Sequence, residues 1–285
     1  MATQLQIPYF AIGDQVSVTA VPQAWHAQRG ERMFYSDQRV WVFKHNPHID
    51  FRPPGPGDTE VLVLPDARLK SDADSYVKRY NSEIFGSQTE FILHRLGLEC
   101  GSSRHPRLYA HEDLDIVPHK VVVHTTGSDR KLSGESGEPV IRYRFGEDEI
   151  RVMSDEVIAA IRRNYKDWLI VQIGSAHDKP VEGNNVVDLR GRLDIWESAA
   201  EIATASRFIG VNSGPMHIAN CYPRVTKRIV LMEFSQGYLA RENDVAFPWR
   251  AGCTRNFLTS WLDPANTYFN RFDQDYGTSF SYLKI

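Results

Sequence analysis

The chain has 285 residues, of which 42% are hydrophobic and 24% are charged, and its formal net charge is -3. This length suits two α/β domains with sizeable cores. The charge balance argues against a protein that coats nucleic acid, because neutralising phosphates requires clustered Lys and Arg. Its three cysteines are widely spaced and form no CxxC pair, which favours reduced cysteines in the cytoplasm over a zinc ribbon or a dithiol redox site.

Targeting and membrane segments are not indicated by the sequence. The N-terminal residues lack a basic start followed by a long apolar run, so we expect no signal peptide. Runs of about 18 consecutive apolar residues, long enough to cross a bilayer, do not occur, so we expect no transmembrane segment. Peripheral contact with a membrane stays open, and we expect a cytoplasmic protein.

The first part of the chain alternates short apolar runs with helical patterns. Apolar runs short enough for strands lie at residues 7–11, 39–43 and 60–64. Helical patterns follow the first and last of these runs, to about Gln28 and over 74–96. Pro22 predicts a kink or an early end within the first helical pattern, and a loop rich in Pro and Gly covers 52–58. Residues 102–118 show no periodicity, so we predict a linker there and a first lobe at 1–115.

The second part alternates more regularly. We predict strands at 121–123, 168–173, 186–189, 207–211 and 228–234. We predict helices from Ser154, with a stripe of Val157, Ile158 and Ile161, and at 194–205 and 215–220. Residues 127–152 are polar and predict a loop with a small hairpin. Strands alternating with helices indicate a parallel, doubly wound sheet, whose ligands bind at the carboxyl ends of the strands. We place this second lobe at 116–262 and expect the tail 263–285 to pack back on the first lobe.

The strongest motif is the segment 212–217, Asn-Ser-Gly-Pro-Met-His, which follows a predicted buried strand. Pro215 suits the first position of a helix. Backbone N–H groups of Ser213, Gly214 and Met216 at the start of that helix would form an anion site, and a diphosphate suits it. The alternative interpretation is an ordinary capped helix after a strand.

Four other strand ends carry polar residues, and each also has an ordinary structural explanation. Asp14 could accept a proton from a hydroxyl or could cap a helix. The segment 124–131 could hold phosphate oxygens or be a solvated loop. Asp178 could bind ribose hydroxyls or be a turn residue. Glu197 has capping-box spacing from Asp194, so it could simply close the helix start.

Together these segments resemble glycosyltransferase family 9, the heptosyltransferase-like enzymes of bacterial lipopolysaccharide synthesis. The resemblance is best over residues 168–220, through WLIVQIGSAHD, VVDLRGRLDIWESAAEIA and RFIGVNSGPMHIA, and is weaker over IGDQVSVTAVPQAWHAQRG. It implies a GT-B fold, in which two Rossmann-like, doubly wound lobes face each other across a cleft. It also implies inverting, metal-independent sugar transfer from a nucleoside-diphosphate sugar, with an ADP-type donor favoured and no further cofactor.

The resemblance also implies residue roles. Asp14 is similar to the catalytic base of the family. The residues similar to its donor site are Thr125, Thr126, Lys131, Gly174, Ser175, Asp178, Leu193, Glu197, Asn212, Ser213, Gly214, Pro215 and His217. The histidines lack metal-binding spacing, so we expect no metal site.

Three departures from the family pattern leave the substrates open. The family usually has Asp where this chain has Asn212, which leaves the donor sugar open as heptose-like or hexose. The loop with Lys131 is longer, which makes Arg130 a rival phosphate contact. The first lobe is shorter, so the acceptor could be lipopolysaccharide core, another glycan, a protein or a small molecule. A sugar-nucleotide epimerase of the same fold and a non-catalytic sugar-nucleotide-binding subunit are the alternative functions.

Overall fold

The computed structural model describes residues 2–6, 12–35, 41–51, 59–63, 88–99, 106–127, 130–132, 139–141, 152–153, 155–211, 213–231 and 267–269. The chain separates into two compact units with a boundary between Asp113 and Leu114, and Asn220–Tyr222 belongs to the first unit. Within the described ranges, no helix is both long enough and apolar enough to cross a membrane.

The first unit contains a four-stranded parallel sheet with the strand order β3-β2-β1-β4. Its strands are β1 (Ala2–Gln6), β2 (Met33–Phe34), β3 (Ile49–Asp50) and β4 (Thr59–Val63). Its α-helices are α1 (Ile12–Ser17), α2 (Ala20–Arg29) and α3 (Gln88–Arg95), and Trp41–Phe43 form a 3-10 turn.

The start of the chain differs in detail from the prediction. The first strand is β1, which ends at Gln6, and residues 7–11, where we expected it, lie outside the described residues. The first helical pattern is divided at Val18 and Thr19, three residues before Pro22. Thr19 stabilises this break, because its hydroxyl donates to the carbonyl of Val16 at 2.7 Å. Pro22 then occupies the first turn of α2, where a helix needs no backbone N–H donor.

Several other predictions fall outside the described residues. These are the Pro/Gly-rich loop at 52–58, the helical pattern before residue 88, the cap at Ser154 and Asn212.

The second unit contains a six-stranded parallel sheet and an antiparallel hairpin. The sheet strands are β5 (Val117–His124), β8 (Leu169–Gln172), β9 (Val186–Asp188), β10 (Ala205–Val211), β11 (Thr226–Leu231) and β12 (Thr267–Phe269). The hairpin is formed by β6 (Arg130–Leu132) and β7 (Pro139–Ile141). The helices are α4 (Asp155–Asn164), α5 (Ile195–Ala203) and α6 (Gly214–Asn220).

The strand order across the second sheet is β9-β8-β5-β10-β11-β12. In chain order this is third, second, first, fourth, fifth, sixth, which is the order of a doubly wound dinucleotide-binding sheet. The direction of winding reverses between β5 and β10, and ligands of such sheets bind beyond the carboxyl ends of the strands at this reversal. The predicted parallel, doubly wound sheet is therefore confirmed.

The core beneath this sheet explains why α4 forms where the sequence predicts it. Val157, Ile158 and Ile161 are buried and pack with residues of β5, β8 and β10 such as Val121 and Ile170. Burying an aliphatic side chain of this size stabilises a fold by about 1.5–3 kcal/mol. The tail contributes β12, which pairs with β11 at the edge of this sheet. The rest of the tail lies outside the described residues, so its packing on the first lobe stays a prediction.

Candidate functional site

Three segments meet where the winding of the second sheet reverses. His124 is the last residue of β5, the turn 174–178 follows β8, and Ser213 follows β10. Because β5 pairs in parallel with both β8 and β10, the carboxyl ends of all three strands lie at one edge. The sequence therefore brings polar residues from three distant segments to the place where such sheets bind ligands.

A chain of buried and partly buried side chains connects these segments. Ser213 Oγ lies 2.9 Å from His124 Nδ1, and His124 Nε2 lies 3.4 Å from Asp178 Oδ2. The exposed fraction is 5% for both His124 and Asp178. Polar side chains at this burial need partners, since an unpaired one would cost about 1–3 kcal/mol. We call Ser213, His124 and Asp178 the relay.

Hydrogen bonds hold Asp178 in its ionised form. Its Oδ2 accepts from the backbone N–H of Ser175 at 3.0 Å, and its Oδ1 accepts from the Ser175 hydroxyl at 2.7 Å. Burial by itself raises the pKa of Asp178, but the hydrogen bonds from His124 and Ser175 outweigh it and hold that pKa below its ordinary value. These contacts favour the turn-residue interpretation of Asp178. Its binding of ribose stays a prediction.

Gly174 provides the space that the relay occupies. Its φ of +127° lies in a region that side-chain-bearing residues avoid. A Cβ atom on Gly174 would lie 2.0 Å from Asp178 Oδ2 and 3.0 Å from His124 Cδ2. Any larger residue here would therefore displace the carboxylate, which gives this predicted site residue a steric reason to be glycine.

Thr125 and Thr126 fix the loop after β8 against the end of β5. The Thr125 hydroxyl donates to the carbonyl of Lys179 at 2.6 Å, and Thr126 Oγ1 accepts from the N–H of Lys179 at 2.9 Å. Gln172 also donates to the Lys179 carbonyl, at 2.7 Å. Thr125 is fully buried and its hydroxyl proton is committed to this carbonyl, so the geometry favours a structural role. Phosphate contact by the two threonines stays a prediction.

The turn into α6 has the predicted form, with one correction. The helix begins at Gly214, so Pro215 is its second residue instead of its first. We expected a free N–H at Met216, but this group donates to the carbonyl of Ser213 at 3.1 Å. The turn tightens enough to satisfy that donor internally. His217 is buried in the first turn and a half of the helix.

Glu197 closes the start of α5. The backbone N–H of Glu197 donates to Asp194 Oδ1 at 2.8 Å, and the N–H of Asp194 donates to Glu197 Oε2 at 2.9 Å. This reciprocal pair is a capping box, so the structural alternative for Glu197 is confirmed. Leu193 precedes the cap and is partly buried. Contact of either residue with a donor stays a prediction.

For the remaining predicted residues, the structure gives their positions within helices and strands. Asp14 is the third residue of α1, so the helix begins three residues earlier than its role as a cap requires. Lys131 is the middle residue of β6, and its neighbour Arg130, the rival phosphate contact, begins the same strand. The catalytic and phosphate-binding roles of these residues stay predictions.

Sequence reasoning gave no individual role to His124, although it lies in the selected segment 124–131, and none to Arg190. Arg190 donates to the backbone carbonyl of Asp178 and binds the carboxylate of Asp188 through Nε at 2.9 Å and Nη2 at 2.7 Å. It therefore joins the end of β9 to the turn that carries Asp178. A polar residue ending a buried apolar run is the signal that could have identified His124. No group of three or more His, Cys, Asp or Glu is placed to hold a metal ion within the described residues.

Comparison with known proteins identifies the fold. No protein-family model matches the sequence, and no curated protein matches it. The iron-containing dodecameric glycosyltransferase TibC from enterotoxigenic E. coli H10407 matches with a TM-score of 0.55 and 16% identity, over 81% of this chain and 58% of TibC. Heptosyltransferase TibC in complex with ADP-D-β-D-heptose matches with a TM-score of 0.55 and 14% identity, over 83% of this chain and 60% of that one.

The glycosyl transferase family 9 protein from Veillonella parvula DSM 2008 matches with a TM-score of 0.47 and 13% identity, over 80% of each chain. The chain thus spans about 60% of the length of the TibC chains that it matches. At these identities the likeness concerns the fold. The chain has the α/β, GT-B type fold of glycosyltransferases and is structurally similar to the heptosyltransferase TibC.

Proposed function

We propose that this chain is an inverting, metal-independent glycosyltransferase that moves a heptose-like or hexose sugar from a nucleoside-diphosphate donor to an acceptor hydroxyl. The observation that carries the proposal is the meeting of Ser213, His124 and the 174–178 turn where the winding of the second sheet reverses. This is where doubly wound sheets bind nucleotides, and the chain has a glycosyltransferase fold.

The reaction assigns a different task to each unit. In the second unit, the turn around Ser213, together with Lys131, stabilises the negative charge that grows on the departing nucleoside diphosphate. In the first unit, Asp14 accepts the proton of the acceptor hydroxyl as its oxygen attacks the anomeric carbon. The bond between that carbon and the diphosphate oxygen breaks, and the nucleoside diphosphate leaves with the electron pair.

The donor is expected to be of the ADP type. A structurally similar protein, TibC, has been solved with ADP-D-β-D-heptose. The acceptor is a glycan, a protein or a small molecule. In this proposal the fixed donors of the protein replace a divalent metal at the diphosphate.

Donor binding is tested first, by the shift of the thermal unfolding midpoint with ADP-, UDP- and GDP-sugars. A ligand that binds the folded state raises the midpoint by mass action. We expect the ADP-sugar to give the largest shift. The absence of any shift with all three donor classes would contradict the proposed function.

Catalysis is tested with Asp14→Asn. General-base assistance is typically worth about 10²–10⁴-fold in rate, so turnover should fall by at least that factor while donor affinity stays nearly unchanged. Asp167→Asn, at an exposed turn position after α4, is the matched control and should retain wild-type turnover. Near-normal turnover of Asp14→Asn would refute its assignment as the base. Free nucleotide released without an acceptor would indicate the epimerase, and binding without turnover would indicate the non-catalytic subunit.

A further inference from the structure

We propose that His124 and Asp178 position Ser213 for the donor diphosphate, and that the relay takes up one proton when the diphosphate binds. This inference rests on the proposed function, because it assigns a binding mechanism to the same site. Asp178 and His124 are positioning residues here, since they act on the ligand through the Ser213 hydroxyl.

The hydrogen bonds of the relay depend on which of its atoms carry protons. A serine hydroxyl has one proton to donate and can also accept. Ser213 Oγ has two neighbours for that proton: His124 Nδ1 at 2.9 Å and the carbonyl of Val211 at 3.1 Å. On the other side of the ring, Nε2 faces the ionised carboxylate of Asp178 and therefore carries a hydrogen. Nδ1 is therefore the ring nitrogen whose protonation can change.

The protonation of Nδ1 determines what Ser213 can offer to a ligand. With a neutral ring, Nδ1 is an acceptor, so the hydroxyl donates to His124 and presents only lone pairs to an approaching phosphate oxygen. With a protonated ring, Nδ1 donates to Ser213 Oγ, and the hydroxyl proton becomes available to Val211 or to a phosphate. A bound diphosphate favours the protonated ring for two reasons. The Ser213 hydroxyl can then donate to a phosphate oxygen, and the positive charge of the His124 ring lies directly behind Ser213.

The charges around the ring are consistent with this uptake. Within the described residues, the carboxylate of Asp178 faces the ring directly. Arg190 binds the backbone carbonyl of Asp178 and the side chain of Asp188, and Lys179 lies 3.0 Å from Asp155. Two further titratable rings lie at this edge: His217, buried in α6 about one turn beyond Ser213, and His177, exposed in the 174–178 turn.

The backbone at Gly174 leaves room for the relay. A Cβ on Gly174 would overlap the Asp178 carboxylate and crowd the His124 ring. Glycine at this position lets the ring and the carboxylate lie side by side. The pair is therefore held by sterics as well as by hydrogen bonds.

The test is calorimetric titration of the full chain with ADP-glucose at pH 7.5, in two buffers with different ionisation enthalpies. The bridged diphosphate of this ligand has no group that titrates near neutral pH, so proton uptake reports on the protein. We expect uptake approaching one proton per ligand and weaker binding as the pH rises from 6.5 to 8.5. His124→Gln should bind more weakly and abolish the uptake. The matched control His119→Gln, which changes an exposed ring packed against Trp168, should leave the uptake unchanged.

A second variant keeps the inference testable if His124→Gln does not fold. Ser213→Ala removes only the hydroxyl and should lower ADP-glucose affinity by about tenfold or more, the loss expected for a charge-assisted hydrogen bond. Wild-type binding without proton uptake, or full uptake in His124→Gln, would overturn the relay and leave the proposed function intact. If ADP-, UDP- and GDP-glucose all fail to bind, the proposed function itself fails.

Discussion

Replacing Gln172 by Met tests whether buried hydrogen bonds hold the loop that carries Asp178. Gln172 is fully buried. Its Oε1 accepts from the N–H of Val181 at 2.7 Å, and its Nε2 donates to the carbonyl of Lys179 at 2.7 Å and to Thr125 Oγ1 at 3.2 Å. Met has nearly the same shape, so the substitution removes these bonds without opening a cavity.

The cost can be worked out from the groups left behind. The N–H of Val181 loses its partner while buried, which costs about 1–3 kcal/mol. The Lys179 carbonyl keeps the hydrogen bond from Thr125, so losing the second donor costs only about 0.5–1.5 kcal/mol. The contact with Thr125 is longer and adds little. We therefore expect the free energy of unfolding to fall by about 1.5–4.5 kcal/mol.

Urea unfolding gives this free energy, and hydrogen exchange of the Val181 amide tests its location. The matched control is Gln28→Met, because Gln28 also makes two hydrogen bonds to backbone groups, at 2.8 Å and 2.9 Å, but on the surface. Water can replace those bonds, so the control should lose less than about 1 kcal/mol. If Gln172→Met costs no more than Gln28→Met, or if the exchange of Val181 does not accelerate, the loop is not held in this way.

Three further predictions concern the surroundings of the relay. Gly174→Ala should lower the free energy of unfolding by about 2–4 kcal/mol, because strain adds to the clash with Asp178; Gly30→Ala, with positive φ but open space, should cost less. Asp194→Ala should cost about 1 kcal/mol in urea unfolding, whereas Glu197→Gln should cost almost nothing, since Gln also closes a capping box. Asp178 has a lowered pKa, so it stabilises the fold fully above its ordinary value of 3.8, and this contribution is lost as the pH falls through the lowered pKa. Acid unfolding of Asp178→Asn should show a weaker pH dependence there.

The second sheet could be predicted because its central strands are buried on both faces. Such strands have near-continuous apolar sequences, as Val121 to Val123 show. The start of β5 was harder to predict. The strand begins at Val117, because backbone pairing with β10 extends beyond the apolar run. In the first unit, β2 and β3 have only two residues each, which is too short for any periodicity to appear. Their pairing depends on tertiary contacts that no local pattern reports.

The candidate site was predictable as a set of strand ends but not as a set of contacts. Doubly wound sheets gather their strand ends at one edge, which is why the segments around Thr125, Asp178 and Ser213 could be selected together. The hydrogen-bond partners of these residues could not be predicted. Ser213 and His124 are 89 positions apart in the sequence, and their contact depends on β5 and β10 being neighbours in space. The sequence alone does not show that these two strands are neighbours.

The internal hydrogen bonds of the predicted site residues bear on how such a site would work. Thr126 and Asp178 were selected as ligand contacts, yet both bind backbone groups of the loop after β8. Groups already fixed by the protein need no reorganisation when charge develops nearby, and this preorganisation is usually the largest electrostatic contribution to catalysis. Internal bonding is therefore compatible with the proposed role in transfer, in which these residues would align the groups that contact the donor. The consequence is that changes at Asp178 should act on a donor through Ser213, so that Asp178→Asn and Ser213→Ala together weaken binding by less than the product of their separate effects.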